Sequence, residues 1–204
     1  LALGWALLHA VIVPRIDDLR PQLQTLARQA TGLQVEIGAI AARSTGVFPS
    51  FELQQVRLLD AAGEKALQLP QVLIAISPRS LMTLELEQLL IRGASLDVRR
   101  SADGRLWLAG VPLSPGGGDA VLGDWLLSQP EWALQGGTLR WHDEVEGVDL
   151  VLTEVDAVMR NPGNRHDFRL DATPPPAWGE RLSLRGQLRQ PLLSRSASRW
   201  QDWS

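Results

Sequence analysis

The 204-residue sequence predicts a mainly β protein: one long, curved antiparallel sheet whose apolar face forms a groove, preceded by a truncated membrane helix and one amphipathic helix. Three observations carry this expectation. After Gly32 apolar residues alternate with polar ones almost to the end, in short runs separated by turn residues, which is the two-residue period of a half-buried strand. Only one long stretch, Ile16 to Gly32, follows a helical period. Residues 1–13, LALGWALLHAVIV, carry no charge before Pro14-Arg15.

At 1.5 Å per residue, such an uncharged segment covers only about 20 Å of a hydrocarbon core about 30 Å thick. Residues 1–14 therefore read as the distal part of a transmembrane anchor, with a signal-peptide core or a buried helix as alternatives. In residues 15–32, Ile16, Leu19, Leu23, Leu26, Ala27 and Ala30 recur at helical spacing. Asp17 and Asp18 suit the first turn, and Gly32 supplies the stop. Residues 33–113 form a first β segment, with runs at Leu33–Ile37, Phe51–Leu53, Val56–Leu58, Leu67–Leu69, Val72–Ile76, Leu84–Leu86, Leu89–Ile91, Leu96–Val98 and Leu106–Leu108. Asp60–Gly63, Ala102–Gly104 and Asn161–Asn164 are turn chemistry. Residues 114–130 are a Gly-rich link followed by a short helix from Ala120 to Leu127. Residues 131–204 form a second β segment, expected to continue beyond Ser204, with runs at Trp132–Leu134, Leu139–Trp141, Val148–Leu152, Phe168–Leu170 and Leu182–Leu184; Ala172–Pro176 is a loop.

A weak repeat runs through the strands. Ile91-Arg-Gly-Ala-Ser-Leu-Asp-Val98 and Leu134-Gln-Gly-Gly-Thr-Leu-Arg-Trp141 share one pattern 43 residues apart. Leu53-Gln-Gln-Val56, Leu86-Glu-Gln-Leu89 and Leu152-Thr-Glu-Val155 share another, in which the apolar residue shifts by one. Such a shift flips the buried face unless a bulge or bend intervenes, so these are candidate bulges that curve the sheet.

Composition narrows the function classes. A net charge of −3 leaves no sequence-wide basic field for nucleic acid. The absence of Cys removes disulfides, thiolate metal sites and Cys nucleophiles. Two helical pieces are too little to cover about a dozen strands, so the apolar face must close into a sandwich or barrel, or stay open as a groove filled by something apolar.

The order of a membrane helix, Ile16-Asp-Asp-Leu-Arg-Pro21, Gly32-x-x-Val35-x-Ile37-Gly38 and Phe51-Glu-Leu-Gln-Gln-Val-Arg-Leu-Leu-Asp60 resembles the start of YhdP-type proteins of the AsmA-like superfamily. Ser80-Leu81, Leu90–Arg99, Asp103-Gly-Arg-Leu-Trp-Leu-Ala-Gly110 and Trp125-Leu-Leu-Ser-Gln129 continue the resemblance. It implies a single-pass inner-membrane anchor with the bulk of the chain in a Gram-negative periplasm, and a β-groove involved in moving phospholipid or in outer-membrane lipid homeostasis. The implied partners are phospholipid, the inner membrane and other envelope proteins; there is no cofactor and no catalytic residue to carry over. A groove answers a physical need, because a two-tailed lipid of roughly thirty methylenes meets a barrier of order 20 kcal/mol in water at about 0.8 kcal/mol per CH₂. The expected lipid-groove lining is Leu53, Val56, Leu58, Ile74, Ile76, Leu86, Ile91, Leu96, Val98, Leu134, Leu139, Leu150, Leu152, Phe168 and Leu170.

Other readings of particular residues are weaker. His142-Asp143-Glu144 with His166 offers ligands for a divalent cation, but a solvated turn explains it as well. No G-x-S-x-G elbow accompanies Ser44, Ser50 or Ser77, and Gly116–Gly118 lacks the Lys of a phosphate loop. Trp107, Trp125, Trp132 and Trp141 fit either a membrane-interface belt or ordinary packing. The main rival function is a membrane-anchored scaffold that docks another envelope protein.

Overall fold

The structure is a computed structural model that describes residues 20–43, 50–59, 65–76, 86–109, 111–112, 125–126, 128–163 and 165–189. Its first element is helix α1 (Arg20–Thr31). Gly32 ends it as expected: at φ 73° the glycine takes the left-handed conformation and donates its N–H to the Arg28 carbonyl at 2.9 Å. The expected anchor, the first turn of the expected helix, the Asp60–Gly63 turn, the run at Leu84, the Gly-rich link and everything after Arg189 lie outside the described residues.

Among the described residues twelve strands form one sheet that does not close on itself. They are β1 (Gln34–Glu36), β2 (Ala39–Arg43), β3 (Ser50–Leu59), β4 (Lys65–Ala75), β5 (Gln88–Arg92), β6 (Ser95–Arg100), β7 (Leu106–Leu108), β8 (Val111–Pro112), β9 (Glu131–Asp143), β10 (Val148–Arg160), β11 (Arg165–Thr173) and β12 (Leu182–Arg189). The main path is β1-β3-β4-β5-β9-β10-β11-β12, with β2 beside β3 and with β7 and β8 attached through β6.

The sheet is mixed, which corrects the all-antiparallel expectation. β5 and β6 both run parallel to β9, in one register across both strands: Ile91 lies opposite Leu134, Leu96 opposite Leu139 and Val98 opposite Trp141. The 43-residue repeat is thus laid side by side with itself. Period-two patterning reads the same in either direction, and only the long connection from β6 to β9 distinguishes them. A second correction concerns length: several short runs are halves of single strands, as in β3, β4 and β9. Ala172, expected in a loop, lies within β11 and is fully buried.

These halves meet at a crease that crosses the sheet. Within β3, β4 and β9, and at the β1–β2 and β5–β6 junctions, two outward residues sit between two inward ones: Ile37 and Ile40, Leu53 and Val56, Leu69 and Val72, Ile91 and Ala94, Leu134 and Gly137. The pairs are aligned, since Leu53 faces Ile40 and Val72, Val72 faces Ile91, and Ile91 faces Leu134. On β10 the crease steps over by one pair, to Leu152 and Val155, where the register with β9 and β11 shifts. Left-handed residues make the bend: Gln55 at φ 53°, Gly93 at 66°, Gly136 at 58° and Glu154 at 48°. Such a residue reverses the side-chain alternation, so both halves keep their apolar residues on one concave face. Two of the three candidate bulges, at Leu53 and Leu152, lie on the crease; the third, Leu86–Leu89, is the entry to β5.

A non-glycine side chain in the left-handed region costs about 1–2 kcal/mol, whereas glycine within an ordinary strand costs about 0.5–1 kcal/mol. Gln55→Gly should therefore leave stability unchanged or raise it by up to about 1 kcal/mol in urea denaturation. A clear loss would show that Gln55 is ordinary extended backbone in solution.

Below the crease the sheet is continuous; above it the sheet forks. The β4–β5 ladder runs from Ala75/Gln88 to Gln71/Arg92 and stops at Pro70, which has no N–H to donate. Beyond this point β6 takes β7 as its neighbour, with Val98 opposite Leu108. One leaf holds β1, β3 and β4, and the other holds β8, β7, β6, β9 and β10.

A candidate apolar cavity in the fork of the sheet

The two faces of the sheet differ in chemistry. The convex face carries ion pairs such as Arg140–Asp97 at 3.5 Å, Arg99–Glu144 at 3.2 Å, Arg160–Glu131 at 2.8 Å and Arg181–Asp156 at 2.9 Å. Exposed pairs of this kind add little stability but keep that face wet. The concave face carries the core, including Leu53, Val56, Leu69, Val72 and Leu134, each 8% exposed or less.

Within that face, where the leaves diverge, lies a cavity of about 460 Å³. One leaf supplies Val35, Val56, Leu58, Leu67 and Leu69, the other Leu96 and Leu108, and the continuous part of the sheet the remaining walls. Helix α1 presents Leu23, Leu26, Ala27 and Thr31 to it, and the helical turn before β9 adds Trp125 and Leu126. Among the described residues no charged side chain lines it. Thr31, the one hydroxyl among the described lining residues, is spent within α1 on the Ala27 carbonyl at 2.8 Å.

Of the residues singled out in the sequence, Leu53, Val56, Leu58, Ile74, Ile76, Leu86, Ile91, Leu96 and Leu134 line this cavity. Leu139, Leu150 and Leu170 are partly buried against the same core, and Leu152 is inside it. Val98 borders a separate depression with Leu150, Trp107, Arg140 and His142. Phe168 lies across Gly186, where a Cβ would come within 2.4 Å of its ring. The α1 face was not expected as wall, although its period marked the residues, nor was Ala94, whose burial follows from the crease.

One end of the cavity is fastened by a buried polar network that no pattern announced. Gln129 is 0% exposed. Its Oε1 accepts the Leu86 N–H at 2.8 Å, its Nε2 donates to the Trp125 carbonyl at 2.8 Å, and its own carbonyl accepts from Asn161 Nδ2 at 2.6 Å. His166 Nδ1 joins Asn161 Oδ1 at 2.7 Å. Burial pushes the His166 imidazole below its usual pKa, which favours the neutral ring.

The candidate metal residues are not brought together. His142 hydrogen-bonds Asp149 through Nδ1, which raises its pKa and favours an imidazolium, and a protonated ring is no ligand. Asp143 caps the following turn at the Val145 N–H (2.9 Å) and pairs with Arg100, Glu144 pairs with Arg99, and His166 is in β11. Among the described residues no group of three or more His, Asp or Glu is placed to hold a metal ion. Trp125 and Trp132 line the cavity, while Trp107 takes the Arg99 guanidinium over its ring at 5.4 Å.

A family model described as YhdP protein matches residues 1–203. The chain belongs to the YhdP family. No curated protein matches it. YhdP membership, within the AsmA-like superfamily, brings a lipid-transport-related function of the cell envelope, and the β-sheet fold is compatible with that function. Among the described residues of this YhdP chain no helix is long and apolar enough to cross a membrane, and the expected anchor at 1–14 lies outside them.

Proposed function

We propose that this chain is a non-enzymatic segment of an intermembrane phospholipid carrier, anchored in the inner membrane by residues 1–14 with the remainder in the periplasm, and that acyl chains travel along its concave face. The observation that carries the proposal is the cavity itself: apolar walls with no charge among the described lining residues, and a polar convex face behind them. Removing acyl chains from water is the task such a surface performs, at about 0.8 kcal/mol for each methylene covered.

The test is lipid mass spectrometry on the full chain extracted in mild detergent. Phospholipid should co-purify in stoichiometric amount. Ile91 and Leu96 line the cavity yet are only partly buried, so Ile91→Asp and Leu96→Asp should lose the lipid while losing only about 1–2 kcal/mol of stability, a carboxylate at a wet wall being far cheaper than one in a sealed core. A folded parent chain without lipid would favour the scaffold and overturn the proposal.

A further inference from the structure

We infer that the convex face of the β11–β12 hairpin is a docking surface for the anionic headgroups of a phospholipid bilayer. The inference does not depend on the cavity, which lies on the opposite face of the sheet. Arg165 and Arg169 stand four residues apart on β11, and Arg185 and Arg189 four apart on β12. The antiparallel register sets them against one another: Arg165 lies opposite Arg189, and Arg169 opposite Arg185. Alternation turns all four to the convex side, because Leu170 and Ala172, at the other positions of β11, pack on the core. The result is a patch of four guanidinium groups, about 5 Å across the strands and about 13 Å along them. Like charges directly opposite on neighbouring strands destabilise the pairing, so this arrangement is one that folding alone would not favour.

The carboxylates of the same face are committed elsewhere. Asp167 pairs with Arg165 at 2.9 Å and accepts from Gln187, while Asp171 pairs with Arg169 and accepts from Ser183. Arg181 is taken by Glu154 and Asp156. Among the described residues Arg185 and Arg189 enter no ion pair. From Arg165 to Arg189 the hairpin holds five arginines against three carboxylates, in a chain whose net charge is −3. A positive patch on an acidic protein is complementary to an anionic surface. The same hairpin carries Trp178, 62% exposed, on a turn stiffened by Pro174, Pro175 and Pro176 and closed by the Trp178 N–H on the Pro175 carbonyl at 2.8 Å. An exposed indole together with clustered arginine suits a bilayer interface, where the ring sits at headgroup depth and the guanidinium groups meet phosphate. A fluid headgroup layer supplies phosphates at whatever spacing the arginines set, whereas an acidic protein would have to match their positions.

The test puts a fluorophore on Gln187→Cys, which lies between the two arginine pairs in a chain that otherwise has no cysteine. The full chain is mixed with phosphatidylcholine vesicles that carry a nitroxide quencher at the headgroup, with and without phosphatidylglycerol. Quenching then reports contact of this face with the bilayer, however the rest of the chain is attached. It should require phosphatidylglycerol and weaken as salt is raised. Arg185→Gln combined with Arg189→Gln should lower the ratio of docked to free hairpin about 25-fold, about fivefold for each charge. The urea midpoint of that variant should stay unchanged or rise, because Arg165 and Arg169 lose the like charges opposite them. Asp167→Asn should act in the other direction and tighten docking about fivefold. Equal quenching on both lipid mixtures, or quenching that the paired Gln substitutions leave unchanged, overturns the proposal. It is also overturned if the vesicles fail to quench while polyglutamate binds and the paired Gln substitutions abolish that binding, since the partner would then be an acidic protein.

Discussion

Leu134→Asp should unfold the chain at room temperature. Leu134 is 5% exposed, faces Ile91 across the parallel pairing and Ala157 across the antiparallel one, and lies against Gly137 at the crease. A carboxylate there loses its water and gains no partner, because the side chains packed on that face are hydrocarbon. An unpaired buried charge costs about 3–5 kcal/mol, and the lost packing of leucine adds about 2 kcal/mol or more, against a total stability of about 5–15 kcal/mol for a domain. Circular dichroism should show loss of the strand signal and of any cooperative thermal transition. Retention of a native-like melt would mean that the middle of the trough is wet, and the division between its floor and its walls would have to be redrawn.

Gln129→Leu keeps the side-chain volume nearly constant but removes the amide that holds Leu86 and Trp125 together. The Leu86 N–H and the Trp125 carbonyl each lose the partner they have in Gln129. A buried polar group left without a bond costs about 1–3 kcal/mol, so the expected loss is about 2–4 kcal/mol, read as a lower urea midpoint with an unchanged slope. Leu86, Trp125 and Leu126 line the cavity, so lipid carriage should fall in parallel. A loss below about 1 kcal/mol would show that water enters and replaces the amide.

Much of this was readable from residue order. Alternation identified the concave face, because a side chain in a strand has only two directions to point. The odd spacing at Leu53-Gln-Gln-Val56 and Leu152-Thr-Glu-Val155 located two points of the crease, since two inward residues three apart require a bend. The same spelling at Leu86-Glu-Gln-Leu89 led elsewhere, because Leu86 is held by a side chain and not by the strand ladder. Strand direction was not readable, as parallel and antiparallel neighbours impose the same period. Position along the trough was not readable either: Leu152 and Leu170 point to the same face as Leu134, yet alternation says nothing about where α1 and the fork enclose a volume. Gln129 was invisible for a different reason, in that a polar residue is driven inward only by partners that the fold assembles.

The parallel pairing of β5 and β6 with β9 also bears on the order in which the molecule assembles. β10, β11 and β12 each pair with the preceding strand, so short turns and loops set their register, and β4 pairs with both β3 and β5 in the same way. The pairing in the middle must instead bring together segments 43 residues apart, as Arg92 and Gln135 are. Closing a longer loop costs only slightly more entropy, but it must be accomplished before any contact along the pair rewards it. The described strands are in this sense two locally registered meanders, one on each side, and their joining along the repeated Gly-containing segments is the longest-range strand pairing among the described residues.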